Sequence, residues 1–154
     1  MVKEAANELK DLPSLVQKPV GHSIQARIYA EDCLQNFRPS AGQLDQVLLS
    51  KKARVETWLR DGVTVTSLYD PMLAKIIVHG DNREDAINKL HQALEETRFY
   101  GVTTNLQYLQ ALLLDEECKA GCVYTQMLNG FEPAENAIEV LDGGVQTTVQ
   151  DFPK

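Results

Sequence analysis

The stretch from Ala74 to Gly101 constrains the fold most. A β-prone run, Ala74 to His79, is closed by Gly80-Asp81-Asn82, and apolar residues then recur with a helical period at Ala86, Ile87, Leu90, Ala93 and Leu94. Asp81 or Asn82 can cap that helix, and Glu84 and Asp85 place negative charge in its first turn, where the dipole favours it. Gly101 reads as the residue that terminates it. A helix with one apolar stripe has to bury that stripe against another element.

The remaining segments supply the other elements. Residues 22–30 alternate: Ile24, Ala26, Ile28 and Ala30 point one way, and Gln25, Arg27 and Tyr29 the other, as in a strand with one apolar and one polar face. Residues 33–42 read as a loop, and Gln43 to Leu49 as a further strand. Val55 to Leu59 and Val63 to Tyr69 flank Asp61-Gly62, which predicts a hairpin. A second helix is expected from near Asn105 to Leu114, capped by Thr104, with Leu106, Leu109, Leu112 and Leu113 inward, and a short helical turn up to Gly121. Ile138 to Leu141 and Val145 to Val149 flank Asp142-Gly143-Gly144, another hairpin signal. At the other end, Val2, Ala5, Ala6 and Leu9 share a helical face with no start signal, and Pro13 ends the run. The expected fold class is therefore α+β: an antiparallel sheet covered by helices, with a terminal β-hairpin.

Composition narrows the function classes. A chain of 154 residues suffices for one ordinary core. The net charge of −7 disfavours general nucleic-acid binding, which needs clustered Lys and Arg. No apolar run approaches the ~20 residues that span a membrane, so no membrane partner is expected. The first residues carry no signal-peptide pattern, so the expected location is cytoplasmic. Cys33, Cys118 and Cys122 are an odd number, which argues against a disulfide framework, and lack the neighbours of a metal site; no metal is expected.

Little catalytic chemistry is written in local motifs. There is no Walker-type loop and no dinucleotide glycine fingerprint. His22, His79 and His91 fall in unrelated contexts and read as structural or solvated. Arg27 is the notable charged position. Its guanidinium offers five donors in a planar fork suited to carboxylate, carbonate or phosphate, although pattern alone favours a salt-bridged arginine on an open sheet face. Asp70, before Pro71, reads first as a turn residue; an acid at a strand end can also orient an arginine.

Three motifs in order carry a family resemblance. Gly21-His22-Ser23-Ile24-Gln25-Ala26-Arg27-Ile28-Tyr29-Ala30-Glu31-Asp32, followed by Asn36-Phe37-Arg38-Pro39-Ser40, resembles the opening of the biotin carboxylase C-terminal subdomain. Tyr69-Asp70-Pro71-Met72-Leu73-Ala74-Lys75 and Gly101-Val102-Thr103-Thr104-Asn105 resemble two further signatures of that family at matching distances. The tail, Ala137 to Val140 and Gln146 to Pro153, is similar to the start of the carboxyltransferase domain in the urea carboxylase branch, which fungi commonly fuse to allophanate hydrolase as urea amidolyase. Two positions depart from the pattern: Ser40-Ala41-Gly42 stands where the family generally has Ser-Pro-Gly, and Lys154 stands where a Gly-Arg pair usually begins.

The resemblance implies a division into 1–16, the end of an ATP-grasp helix and connector; 17–128, the biotin carboxylase C-terminal subdomain; 129–136, a linker; and 137–154, the truncated start of a carboxyltransferase domain. It implies a parent ligase that uses ATP, magnesium and bicarbonate to carboxylate biotin, then passes the carboxyl group to urea to give allophanate. Arg27 would be the catalytic residue, close to bicarbonate and biotin, with Asp70 supporting it near a dimer contact. The implied partners are the ATP-grasp, carboxyltransferase and biotin carrier domains of the parent, and a second copy of the chain. No ATP or biotin is expected on this chain alone, which is expected to be inactive in isolation. Two alternatives are a non-catalytic interaction or dimerisation module or remnant, and the same subdomain of an acyl-CoA or pyruvate carboxylase.

Overall fold

The computed structural model describes residues 18–131 together with two strands further along, Ile138–Asp142 and Val145–Val149. The expected helix through Val2, Ala5, Ala6 and Leu9 and the turn Gly143-Gly144 lie outside the described residues. In chain order the strands are β1 (His22–Tyr29), β2 (Glu31–Asp32), β3 (Arg38–Pro39), β4 (Gly42–Gln43), β5 (Gln46–Leu48), β6 (Arg54–Thr57), β7 (Thr64–Val65), β8 (Met72–Gly80), β9 (Arg98–Tyr100), β10 (Ile138–Asp142) and β11 (Val145–Val149). The α-helices are α1 (Arg83–Glu95), α2 (Leu106–Leu114) and α3 (Glu116–Ala120).

The α+β expectation holds. The centre is an antiparallel sheet of order β1-β8-β6, with short two-stranded pairs around it: β2 with β3, β4 with β7, and β5 with β9. The alternation of β1 is realised. Ala26, Ile28 and, just past the strand, Ala30 are buried, while Gln25 and Arg27 are exposed. The buried face continues on β8 with Ala74, Ile76 and Val78. Helix α1 packs against β8 and β1 with Ala86, Ile87, Leu90, Ala93 and Leu94, the five residues its periodicity singles out. Asn82 is its cap: its side chain accepts from the Asp85 amide at 2.9 Å. Ile28, Leu44, Leu73, Ile76, Leu90 and Leu94 are fully buried, and each such burial stabilises by about 1.5–3 kcal/mol.

Several expectations are corrected. The Asp61-Gly62 turn does not close a hairpin between the runs flanking it. β6 pairs with β8, and β7 pairs with β4. Residues 43–47 capture the turn instead, because the Leu44 amide donates to the Val63 carbonyl, the Gly62 amide to the Leu44 carbonyl, and the Val47 amide to Asp61. Nor does the second run continue to Tyr69; Leu68 and Tyr69 are exposed outside any strand. Residues 43–49 form two short strands rather than one. Gly101 does not end α1. The helix stops at Glu95, where the Thr97 hydroxyl donates to the Ala93 carbonyl, and Gly101 follows β9 instead. In α2 the buried residues are Leu106, Tyr108 and Leu113, with Leu109 and Leu112 only partly covered. Tyr108 goes inward because its ring sits edge-on to Phe37 and Phe131, at 5.4 and 5.3 Å. The expected strand pairing of Ile138–Asp142 with Val145–Val149 is present.

Candidate anion site on the open sheet face

Opposite the face covered by α1, the central sheet turns a polar surface outward. Register places Arg27 of β1 across from Lys75 of β8, and Lys75 across from Glu56 of β6. The three side chains therefore form one row across the sheet, with Arg54 two residues from Glu56 on the same face. Glu56 binds both its neighbours. Its Oε1 accepts from Arg54, and its Oε2 lies 3.2 Å from the Lys75 ammonium. Those two cations, Arg54 first, hold the Glu56 carboxyl below its ordinary range. Arg27 differs: among the described residues its guanidinium makes no hydrogen bond or ion pair, and it is exposed. The face thus carries three cations and one carboxylate. It is suited to a small anion, with Arg27 as the fork that is free to take it.

What fixes Arg27 is its backbone. β1 is an edge strand, and its second edge would be open without a partner. Asn105 closes it. The Tyr29 amide donates to Asn105 Oδ1 at 2.9 Å, Asn105 Nδ2 donates to the Arg27 carbonyl at 3.1 Å, and the Asn105 amide donates to the Tyr29 carbonyl at 3.1 Å. A buried carboxamide here stands in for a neighbouring strand. Replacing Asn105 with alanine strands the Tyr29 amide and the Arg27 carbonyl. Unfolding in urea should show a loss of about 2–3 kcal/mol, with Asn105→Asp, which keeps the acceptor, losing less.

Asp70 acts one step further away. Its carboxylate accepts from the Met72 amide at 2.9 Å, fixing the turn into β8. The Pro71 carbonyl then accepts from the Ala30 amide at 2.9 Å, the Ala30 carbonyl accepts from the Ser40 amide, and the Ser40 hydroxyl accepts from the Thr103 amide at 3.0 Å. The three sequence motifs therefore meet at the end of β1. No hydrogen bond or ion pair joins Asp70 to Arg27 among the described residues. The charge Asp70 acts on is Glu31, whose carboxyl is raised by burial first and by Asp70 second.

Next to it, burial, Glu31 and Asp32 push the Cys33 thiol up to about 11. That leaves roughly a hundredfold less thiolate than an ordinary cysteine at neutral pH. Iodoacetamide at pH 8 should label Cys33 about that much more slowly than free cysteine, read by mass spectrometry.

Sequence reasoning singled out Arg27 and Asp70 but missed Asn105, Lys75 and Glu56 as parts of this site. Asn105 and Lys75 end two of the quoted motifs, so the signal was present. Their roles depend on pairings with residues 76 to 78 and 48 positions away, which local pattern does not encode. Among the described residues no three His, Cys, Asp or Glu side chains gather as metal ligands, and no helix is long and apolar enough to cross a membrane.

This architecture and its motifs define a class. Residues 25–130 match the family model of the biotin carboxylase C-terminal domain, and the chain belongs to that family. It is 45% identical to the urea amidolyase of Saccharomyces cerevisiae over 153 residues, covering 99% of this chain and 8% of that protein. The structure of the Kluyveromyces lactis urea carboxylase superposes with a TM-score of 0.82 at 46% identity, covering 91% of this chain and 12% of that one. Identity to the mitochondrial methylcrotonoyl-CoA carboxylase subunit alpha of Arabidopsis thaliana is 41% over 111 residues, 70% of this chain and 15% of that one. The chain thus spans about a twelfth of the urea amidolyase it matches.

Proposed function

We propose that this chain is the C-terminal part of the biotin carboxylase domain of a urea carboxylase, and that it supplies one wall of the active site rather than the whole of it. The observation that carries the reading is the guanidinium of Arg27, without a partner among the described residues and held on an exposed sheet face by a backbone clamp at Asn105. In the parent, ATP with magnesium would activate bicarbonate and biotin would carry the carboxyl group; ATP and magnesium have no place on this chain in this proposal, and Arg27 would lie near bicarbonate and biotin. What Arg27 does follows from its chemistry. Its fork pairs with two oxygens of a planar oxyanion and stabilises negative charge as it develops on an oxygen set against it. The division into 17–128 for this subdomain, 129–136 for a linker and 137–154 for the start of a carboxyltransferase domain belongs to the same proposal. So do the ATP-grasp, carboxyltransferase and biotin carrier partners and a cytoplasmic setting. The urea branch is favoured because the match to urea amidolyase runs over 153 residues, whereas that to the methylcrotonoyl-CoA subunit covers 111.

A segment exchange tests this. Residues 18–131 replace the corresponding segment of the S. cerevisiae urea amidolyase, and separately that of the A. thaliana methylcrotonoyl-CoA subunit. Bicarbonate-dependent ADP release should survive in the first. Activity in the second alone would move the chain to the acyl-CoA carboxylases.

A further inference from the structure

Opposed side chains on neighbouring antiparallel strands have Cβ atoms ~4.5–5.5 Å apart, and like charges placed there repel. Arg27 and Lys75 are such a pair. The nearest compensation is Glu56, whose two oxygens are divided between Arg54 and Lys75. One carboxylate therefore pairs with two of the three cations, and the third, Arg27, which has no partner among the described residues, lies beside Lys75. The Lys75 ammonium has three donors; Glu56 takes one, at 3.2 Å, and the side chain is 36% exposed. Glu56 thus holds the ammonium in the row without using it up.

We infer that Lys75 is a second binding residue of this site: Arg27 and Lys75 together seat one small planar oxyanion of the bicarbonate or carboxylate class, and Glu56 positions Lys75 for it. The inference rests on the reading of Arg27 as an oxyanion-holding residue and adds Lys75 to it. The fork of Arg27 takes two oxygens in its plane, and Lys75, a point charge on the neighbouring strand, approaches from the side. An anion between them relieves the cross-strand repulsion, so its binding is stronger than either cation alone would give.

The test is a bicarbonate titration of the full 154-residue chain at pH 8, with chloride exchanged to hold ionic strength constant, following the Arg27 Nε–Hε resonance. Wild type, R27A, K75Q and K75R are compared, the unchanged amide spectrum confirming the fold of each variant; for R27A binding is read at neighbouring β1 and β8 amides. Bicarbonate should shift the wild-type signals. K75Q should weaken binding about fivefold, the loss of one partly solvated charge at ~4 Å, and K75R should restore it to within about twofold. R27A should abolish it. Wild-type affinity in K75Q, with R27A inactive, would overturn the role of Lys75 and leave that of Arg27 standing. No shift in wild type would overturn both. Inorganic phosphate binding more tightly than bicarbonate would overturn the planar class of ligand.

Discussion

Arg27→Ala, introduced into the active urea amidolyase exchange protein, is expected to lower biotin-dependent ADP release by roughly 10²–10³-fold, the scale on which a single preorganised donor acts on developing oxyanion charge. The structure separates this loss from any loss of folding. Arg27 is exposed, its guanidinium contacts no partner among the described residues, and its strand is held through the backbone by β8 and Asn105. The urea unfolding midpoint should therefore stay within the ±0.5 kcal/mol usual for surface substitutions. Arg27→Lys keeps the charge but loses the planar fork, and should recover only part of the activity. Full turnover by the alanine variant would remove Arg27 from the chemistry.

The second large effect is on stability. Gly101 has φ +112°, where L side chains rarely go, and a Cβ there would lie 1.9 Å from the Gln43 carbonyl oxygen. The obstacle is backbone: the Asp45 amide donates to the Tyr100 carbonyl, tying residues 43–45 to the end of β9. Neither side can move without breaking that contact. Gly101→Ala should cost about 3–5 kcal/mol, combining strain and overpacking. That is a large part of the 5–15 kcal/mol typical of a domain. Gly62 gives the control. Its φ is +81°, but a Cβ would meet nothing within 4 Å, so Gly62→Ala should cost only about 1 kcal/mol. Urea midpoints of the two variants measure the difference, and equal midpoints would mean that the approach to Gln43 is not rigid.

Gly101 also shows where sequence reading ends. The five buried residues of α1 and the inward face of β1 were legible because a period of 3.6 or 2 is a local property. The false hairpin around Asp61-Gly62 was local too. Asp61-Gly62 does form a turn, but the strand partners are β4 and β8, at distances the turn does not encode. Gly101 reads as a helix terminator because glycine supplies a positive φ in either role; only the close approach of Gln43 distinguishes them. The site divides in the same way. Arg27 stood out as a charge on the polar side of an alternating strand. Its neighbour Lys75 and its clamp Asn105 emerge only once strand register and the docking of residues 101–105 are known. The resemblance to a family brought the three motifs together; the structure supplies a physical reason for much of them, a chain of hydrogen bonds around Ala30.

The role of this chain as one wall of a carboxylase site is tested most directly by ADP release with ATP, bicarbonate and free biotin, measured on this chain alone, on a separately made ATP-grasp portion of a urea carboxylase, and on their mixture. Bicarbonate-dependent release is expected only in the mixture, and is expected to be lost when the chain carries Arg27→Ala. A mixture that forms a complex by sedimentation yet releases no ADP would contradict that role, and the chain would then have to be regarded as an interaction module without a catalytic wall.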